Sequence, residues 1–448
     1  MAGLRAGAAE VNITPPVGVE LTGFGGRPTG CTGVHDEIFA KALVLDDGRT
    51  KLAIVTSDLL SMDFDLVERT RKLIYERTGI PASHAMLNSS HTHSAPAAAT
   101  LRGLGARDEA YCDVLCRKIA SAVQMAASQL TEAKFGAARE PVLVGINRRQ
   151  VVANKGMVLG VNPQGTVAAY VDVLRVERLD GEAMAVLFSH AAHPVVLGGS
   201  NLLVTADYPG YAMAVVKQVL GGNVVAMFAQ ACCGNINAHP RVGGTYADAK
   251  RLGTILGAAT VKAAALIQTQ TTADVPLGMA DETVQLPLQP PLPLDEARKQ
   301  VEAAEQKIKD LFAQPNPHPH PGQLKLAQGT LEWARDMLKL SEEGDKPRTQ
   351  PFEIQVFRIG DVAVVGLPGE VFVEYQLHLD QHAPFKQTLV LGHTNGCIGY
   401  VPTADAFPQG GYEVTTAYKY YGTLMRTPES DGIIRSAGLR LLKAMVDG

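Results

Sequence analysis

Cysteine is scarce and unpatterned in this sequence. Cys31, Cys112, Cys116, Cys232, Cys233 and Cys397 are the only six in 448 residues, and none forms a C-x-x-C pair. A disulfide scaffold is therefore not expected, and small buried hydrophobes account for the thiols. An excess of one charge is missing too. The 41 Lys and Arg against 45 Asp and Glu leave a formal charge of −4, with no basic field to gather phosphate backbones or anionic lipid, so nucleic acid is not an expected partner. Nor is there a run of the ~20 apolar residues that a membrane span needs. The most apolar stretch, 223–233, is short and broken by Gln230, so no integral membrane association is expected. The opening MAGLRAGAAEVNITPP has one arginine but no apolar segment of the ~7–15 residues that a secretory signal requires, which gives a cytoplasmic expectation.

What the sequence does have is core material: 46% of its residues are hydrophobic and 19% charged. At roughly 150 residues per domain the length allows two or three units, yet α/β chains of this size often fold around one core. The segments AKALVLDDG and KLAIVTSDLL read as two strands joined by a turn at Asp46, Asp47 and Gly48. An amphipathic helix from Asp63 to Gly79 follows, then a strand, HAMLNSSHTH. Strand, helix, strand is a crossover unit, and open sheets of that kind place ligands at the carboxyl ends of their strands. A helix over 109–130, short strands through 141–187 and two more strands, AVLFSHAAHPVVL and NVVAMFAQACCG, flank a helix beginning near Pro209. Between 286 and 350, proline-rich edges frame two charged helices. Val301, Ala304, Ile308 and Leu311 make one apolar stripe, and Leu324, Ala327, Leu331 and Ala334 make another. The fold expected is α/β, with mixed sheets flanked by helices and an inserted helical hairpin that packs on the main domain or on a second subunit, which leaves room for a homo-oligomer.

The chemistry-bearing side chains gather at predicted strand ends. His91 and His93 lie two apart in SSHTHSAP, where extended backbone points both imidazoles to one side. His318-Pro319-His320 has the same spacing inside a proline-rich loop and is read as solvated, so context separates the two. His190 and His193 follow another strand in SHAAHPVV, and Glu370 follows a Pro-Gly turn in GLPGEVF. Arg148 in GINRRQ, and Tyr400 and Tyr412 around a glycine- and proline-rich loop, carry less signal alone. Two or three histidines with a carboxylate point to a mononuclear metal site and hydrolysis, with the substrate unnamed.

SSHTHSAP, the NRR tripeptide, SHAAHPVV, ADYPGYAM, QACCGNIN and LPGE, in this order between GAAEVNITPPVG and GYVPTADAFPQGGYEV, resemble the catalytic N-terminal domain of the neutral/alkaline non-lysosomal ceramidases. The resemblance implies a single large catalytic domain, residues 1–285 and 351–448, interrupted by the hairpin at 286–350. It is expected to stand without the immunoglobulin-like domain that follows in ceramidases proper. It implies one Zn2+ per chain held by His91, His193, Glu370 and Tyr400, with His93, Arg148 and Tyr412 around the scissile amide. Asp58, at a neighbouring strand end, is expected to accept from a ligand imidazole.

Where the family's ceramidases have GDVSP, this chain reads GNINAH, so Asn235 and Asn237 replace the acid and the serine. A serine nucleophile there is excluded, and a zinc-activated water is not. The expected substrate is a small-molecule amide such as an N-acyl amine or N-acyl amino acid. Ester or other acyl hydrolysis, true ceramide hydrolysis, and a non-enzymatic module with a structural metal are the alternatives.

Overall fold

The computed structural model describes residues 3–269, 275–314 and 318–447. Asp46 and Asp47 accept the amides of Gly48, Arg49 and Thr50, and this tight turn sets Phe39–Asp46 antiparallel to Lys51–Ser57. Helix Phe64–Thr78 then carries the chain back, and Ala85–Ser89 pairs parallel with Lys51–Ser57. A second crossover uses helix Asp207–Leu220 to bring Val225–Gln230 parallel to Ala183–His190. The two units occupy opposite ends of one eight-stranded mixed sheet, with Tyr170–Arg178, Thr131–Pro141, Arg5–Asn12 and Phe39–Asp46 between them.

That sheet curls until its two ends meet. The Asn88 amide donates to the carbonyl of Gln230 on the opposite edge strand at 3.3 Å and accepts the Gln230 N–H at 2.9 Å. The same amide donates to Gly392 O at 2.7 Å and Thr394 Oγ1 at 3.1 Å, so one side chain ties both edges to a third segment. Strand ends far apart in sequence are thereby brought to one place.

A four-stranded sheet of Leu277–Pro287, Thr349–Ile359, Val362–Gly366 and Gln387–Leu391 packs face to face on the first. Alternation decides which side chain goes where. Phe357, Ile359, Val364 and Leu389 point into the layer shared with Leu43, Ile54, Leu187 and Met227, while Phe352, Ile354, Val365 and Val390 face helices Val373–His382 and Ser430–Asp447 through Tyr375, Leu379 and Leu442. Helices Phe64–Thr78 and Glu109–Ser128, with Asp207–Leu220 and Tyr246–Leu266, cover the outer face of the large sheet. The result is the mixed α/β architecture expected from the sequence.

The inserted helices are Leu294–Phe312 and Pro321–Glu342. Of the expected stripe Ala327 and Ala334 are buried while Leu324 and Leu331 are half-buried, and Trp333 and Met337 join Ala334 against Leu424. The reason is tertiary: the second helix turns this face toward the 417–424 loop, where Trp333 meets the Tyr418 ring edge-on at 6.0 Å and Lys419 sits over it at 4.6 Å. Its start lies against the 22–27 loop so closely that a Cβ on Gly322 would be 2.2 Å from the backbone of Gly26. His318 and His320 are exposed ahead of this helix. Five cysteines are buried and Cys397 is half-buried, all as free thiols. No helix among the described residues is long and apolar enough to cross a membrane.

Candidate metal centre

His91, His93 and His193 each bring a ring nitrogen within 4.8 Å of the other two. His91 leaves the Ala85–Ser89 strand in a left-handed conformation, φ 67°, held by its amide bond to Leu59 O at 2.8 Å. Non-glycine residues enter that region at a cost of roughly 1–3 kcal/mol, and such strain concentrates at functional sites. His193 follows Ala183–His190, with its own backbone anchored to the GNIN turn through Ile236 O and the Ala238 amide. Glu370 comes from the second sheet's connection. Gly369 before it has φ 127°, and any Cβ there would lie 2.6 Å from Gly399 O, so the LPGE turn needs glycine at that position. The pair Glu370–Val371 and Tyr400–Val401 is parallel and puts Glu370 level with Tyr400.

Two of the imidazoles have a fixed tautomer. His91 Nδ1 lies 3.0 Å from Leu60 O, and His193 Nδ1 lies 2.8 Å from Cys233 O and 2.9 Å from Ile236 O. A carbonyl can only accept, so both Nδ1 atoms carry hydrogen, and a ring that is neutral then presents its Nε2 lone pair inward. Burial and the Arg148 cation push the His193 pKa down to about 4, which keeps that ring neutral. Both lone pairs face Glu370 Oε2, at 2.9 Å from His193 and 3.4 Å from His91. Acceptors aimed at an acceptor at this spacing repel one another unless a cation lies among them, and imidazole nitrogens with a carboxylate suit a divalent transition metal. The donor set fits a metal ion.

His93 differs from its neighbours. Its Nε2 lies 3.3 Å from His91 Nε2, yet its Nδ1 is buried with no partner among the described residues, so no carbonyl fixes its tautomer. Burial and the two other rings push it well below the ordinary imidazole value. Phe24 packs on its ring at 4.9 Å, and Arg27 donates to its carbonyl at 2.7 Å.

Arg148 sits on the Gly145–Val152 strand, buried rather than on a solvated loop. The Glu413 carboxylate bridges it to Arg149, accepting from Arg148 Nε at 2.8 Å and Arg149 Nη1 at 2.8 Å. Arg148 Nη1 points at Asn237 Oδ1, 3.2 Å away, and at His193 Nε2, 3.3 Å away, while its Nη2 has no partner among the described residues. Burial alone would lower its pKa, but Tyr400, Glu413 and Glu370 hold it well above the usual value and cationic. The guanidinium lies 5.1 Å from the Tyr400 ring and 5.9 Å from that of Tyr412, and the two rings meet edge-on at 5.7 Å. Burial pushes both phenols above their usual value. All seven side chains singled out in the sequence, His91, His93, Arg148, His193, Glu370, Tyr400 and Tyr412, therefore converge.

One expectation is corrected. Asp58 does not reach an imidazole: its Oδ2 accepts the Phe39 amide at 2.9 Å and the Lys41 ammonium at 3.1 Å, because the strand hairpin buries that ammonium beside it. Its anticipated role falls to the carbonyl of Leu60. His190 is a core histidine, its Nδ1 bonded to Tyr170 O at 2.8 Å. Two further residues enter the site with no motif to announce them. Tyr421 donates to Glu370 Oε1, and the His393 ring stacks on His91 at 3.8 Å, with its Nε2 3.5 Å from Cys233 Sγ.

Fold and site together define an α/β protein with a buried imidazole and carboxylate centre at converging strand ends. Residues 4–275 match the neutral/alkaline non-lysosomal ceramidase N-terminal family, and the chain belongs to that family. The match contains His91, His93, Arg148 and His193, while Glu370, Tyr400 and Tyr412 lie beyond it. Similar proteins include the neutral ceramidase of Drosophila pseudoobscura pseudoobscura, 24% identical over 237 residues, which are 49% of this chain and 33% of that one. Neutral ceramidase B of Dictyostelium discoideum is 26% identical over 248 residues, covering 50% and 34%. The matched part is thus about a third of the length of these relatives. Among solved structures, the neutral ceramidase from Pseudomonas aeruginosa superposes with a TM-score of 0.72 at 17% identity, over 99% of this chain and 75% of that one. A ceramidase complexed with C2 gives 0.74 at 17%, over 100% and 76%. At these identities the likeness is one of fold.

Proposed function

We propose that this chain is a zinc-dependent amidohydrolase that cleaves an N-acyl amine, an N-acyl amino acid or a related small amide. The observation that carries the reading is the pair of carbonyl-fixed imidazoles aimed, with Glu370, at one point. His91, His193, Glu370 and Tyr400 would hold one zinc ion per chain. Zinc bound there supplies Lewis acidity, polarising an acyl carbonyl and lowering the pKa of a water from 15.7 to about 7. His93, whose tautomer no carbonyl fixes, is suited to take the proton of the attacking water and return it to the departing nitrogen, work of about 10²–10⁴-fold. The Nη2 of Arg148, with no partner among the described residues, is a buried cationic donor for the oxygen on which negative charge develops. Glu413 fixes that guanidinium from behind. The Tyr412 phenol, kept protonated by burial, donates a hydrogen bond to the same oxygen or to the leaving nitrogen.

The test is metal analysis of the purified chain, paired with turnover of N-acyl amides, matched esters and ceramide before chelation, after chelation and after zinc is restored. Ceramide joins the set because the relatives are named neutral ceramidases. The expected result is near-stoichiometric zinc, amide turnover lost on chelation and recovered with zinc, and amides preferred over matched esters. Full amide turnover by metal-free chain overturns the reading.

A further inference from the structure

The carboxylate of Glu370 is held at both ends. Its Oε2 faces His193 Nε2 at 2.9 Å and His91 Nε2 at 3.4 Å, while its Oε1 accepts the hydroxyl of Tyr421. The carboxylate is buried, so this phenol replaces the water that would otherwise solvate Oε1. Tyr421 is itself well fixed. Its ring stands edge-on to Tyr400, 87° between planes at 6.5 Å, and lies against Gly399, where a Cβ would be 2.8 Å from the ring. Next to it, Tyr420 O accepts the Arg102 amide at 2.9 Å, and Arg102 also pairs with Asp336 of the second hairpin helix. Tyr418 and Lys419 of the same loop pack on Trp333 of that helix. The inserted hairpin, which the proposed chemistry does not otherwise use, thus clamps the loop that carries Tyr421.

We propose that Tyr421 is the positioning residue of the metal centre: by occupying Oε1 it holds Glu370 so that Oε2 alone is offered to the cation. The inference rests on Glu370 being a metal ligand, as proposed above. A carboxylate free to turn can offer both oxygens and fill a position that water or substrate needs. One anchored through a neutral donor keeps its charge and loses that freedom. Groups that orient a ligand in this way typically change metal affinity by about 10–100-fold when removed.

The experiment measures zinc affinity by competition with a chelating indicator, on metal-stripped wild-type chain, Tyr421→Phe, Tyr421→Leu and Glu370→Gln, with the Tm of each metal-free chain recorded alongside. Tyr421→Phe keeps the ring against Gly399 and removes only the donor. It is expected to bind zinc about 10–100-fold more weakly, with a metal-free Tm closer to wild type than that of Tyr421→Leu. Tyr421→Leu is expected to show the same loss of affinity together with a lowered Tm. If Tyr421→Phe holds zinc as tightly as wild type while Glu370→Gln does not, the tyrosine is packing only and the inference is overturned. If Glu370→Gln also binds like wild type, the ligand assignment fails first, and the two failures are told apart.

Discussion

His93 carries the sharpest question at the scale of single residues. It stands as close to His91 as a ligand would, 3.3 Å between Nε2 atoms, but lacks the carbonyl that fixes the tautomer of His91 and His193. A group whose proton is free to move suits transfer, and a group whose lone pair is locked inward suits ligation. His93→Gln is therefore expected to lower kcat by about 10²–10⁴-fold while the purified chain keeps its zinc. Loss of the metal in that variant would make His93 a ligand instead. The spacing in SSHTHSAP was enough to single out both histidines, because neighbours two apart in extended chain share a side. It could not divide their roles, which depend on carbonyls contributed by 60, 233 and 236.

Among elements, the decisive contact is between the edge strands Ala85–Ser89 and Val225–Gln230. Their pairing partners and the helices between them were legible from period-two and helical patterns, from Asp46-Asp47-Gly48 and from Gly79. That the two edges meet was not, because a side-chain amide makes the junction. Asn88 gives or accepts four hydrogen bonds there, to Gln230 N and O, Gly392 O and Thr394 Oγ1, all buried. Asn88→Ala leaves several of these groups unsatisfied, each costing about 1–3 kcal/mol. The variant is expected to lose about 2–4 kcal/mol in urea denaturation and to bind zinc more weakly, since His91 follows this strand and His193 the neighbour of its partner. A loss under 1 kcal/mol would mean the edges are held by the sheets alone. The hairpin gives the converse lesson. Its helices were evident, and Ala304, Leu311, Ala327 and Ala334 of the expected stripes are buried, but the burial of Trp333 beside them answers to a loop about ninety residues further along the chain.

For the whole molecule, buried titrating groups link stability to pH in opposite directions. Burial pushes His190 down to about 4, so as pH falls below the unfolded value of about 6.5 the unfolded chain takes up a proton that the native chain refuses, and stability is lost. Burial pushes Asp172 and Asp207 up to about 6, so over the same range the native chain takes up protons first and gains stability. The His190 contribution is isolated by comparing wild type with His190→Gln. Between pH 7 and 4.5 the variant is expected to lose about 2–3 kcal/mol less than wild type, read from unfolding free energies at the two pH values. Parallel losses would show that His190 is protonated in the native state. Local patterning by itself determined the crossover units, the helices and the free thiols and pointed to His91, His93, His193 and Glu370, because backbone geometry and burial period are properties of neighbouring residues, whereas Arg148, Tyr400 and Tyr412 entered the short list through the resemblance to the ceramidase family. Only the tertiary structure decided that Leu60 rather than Asp58 orients His91, that His190 is core, that Glu413 sets Arg148 and that Tyr421 reaches Glu370. Each of those is a contact between residues that no local spacing relates, and it exists because a curled sheet brings strand ends from three parts of the chain to one buried point.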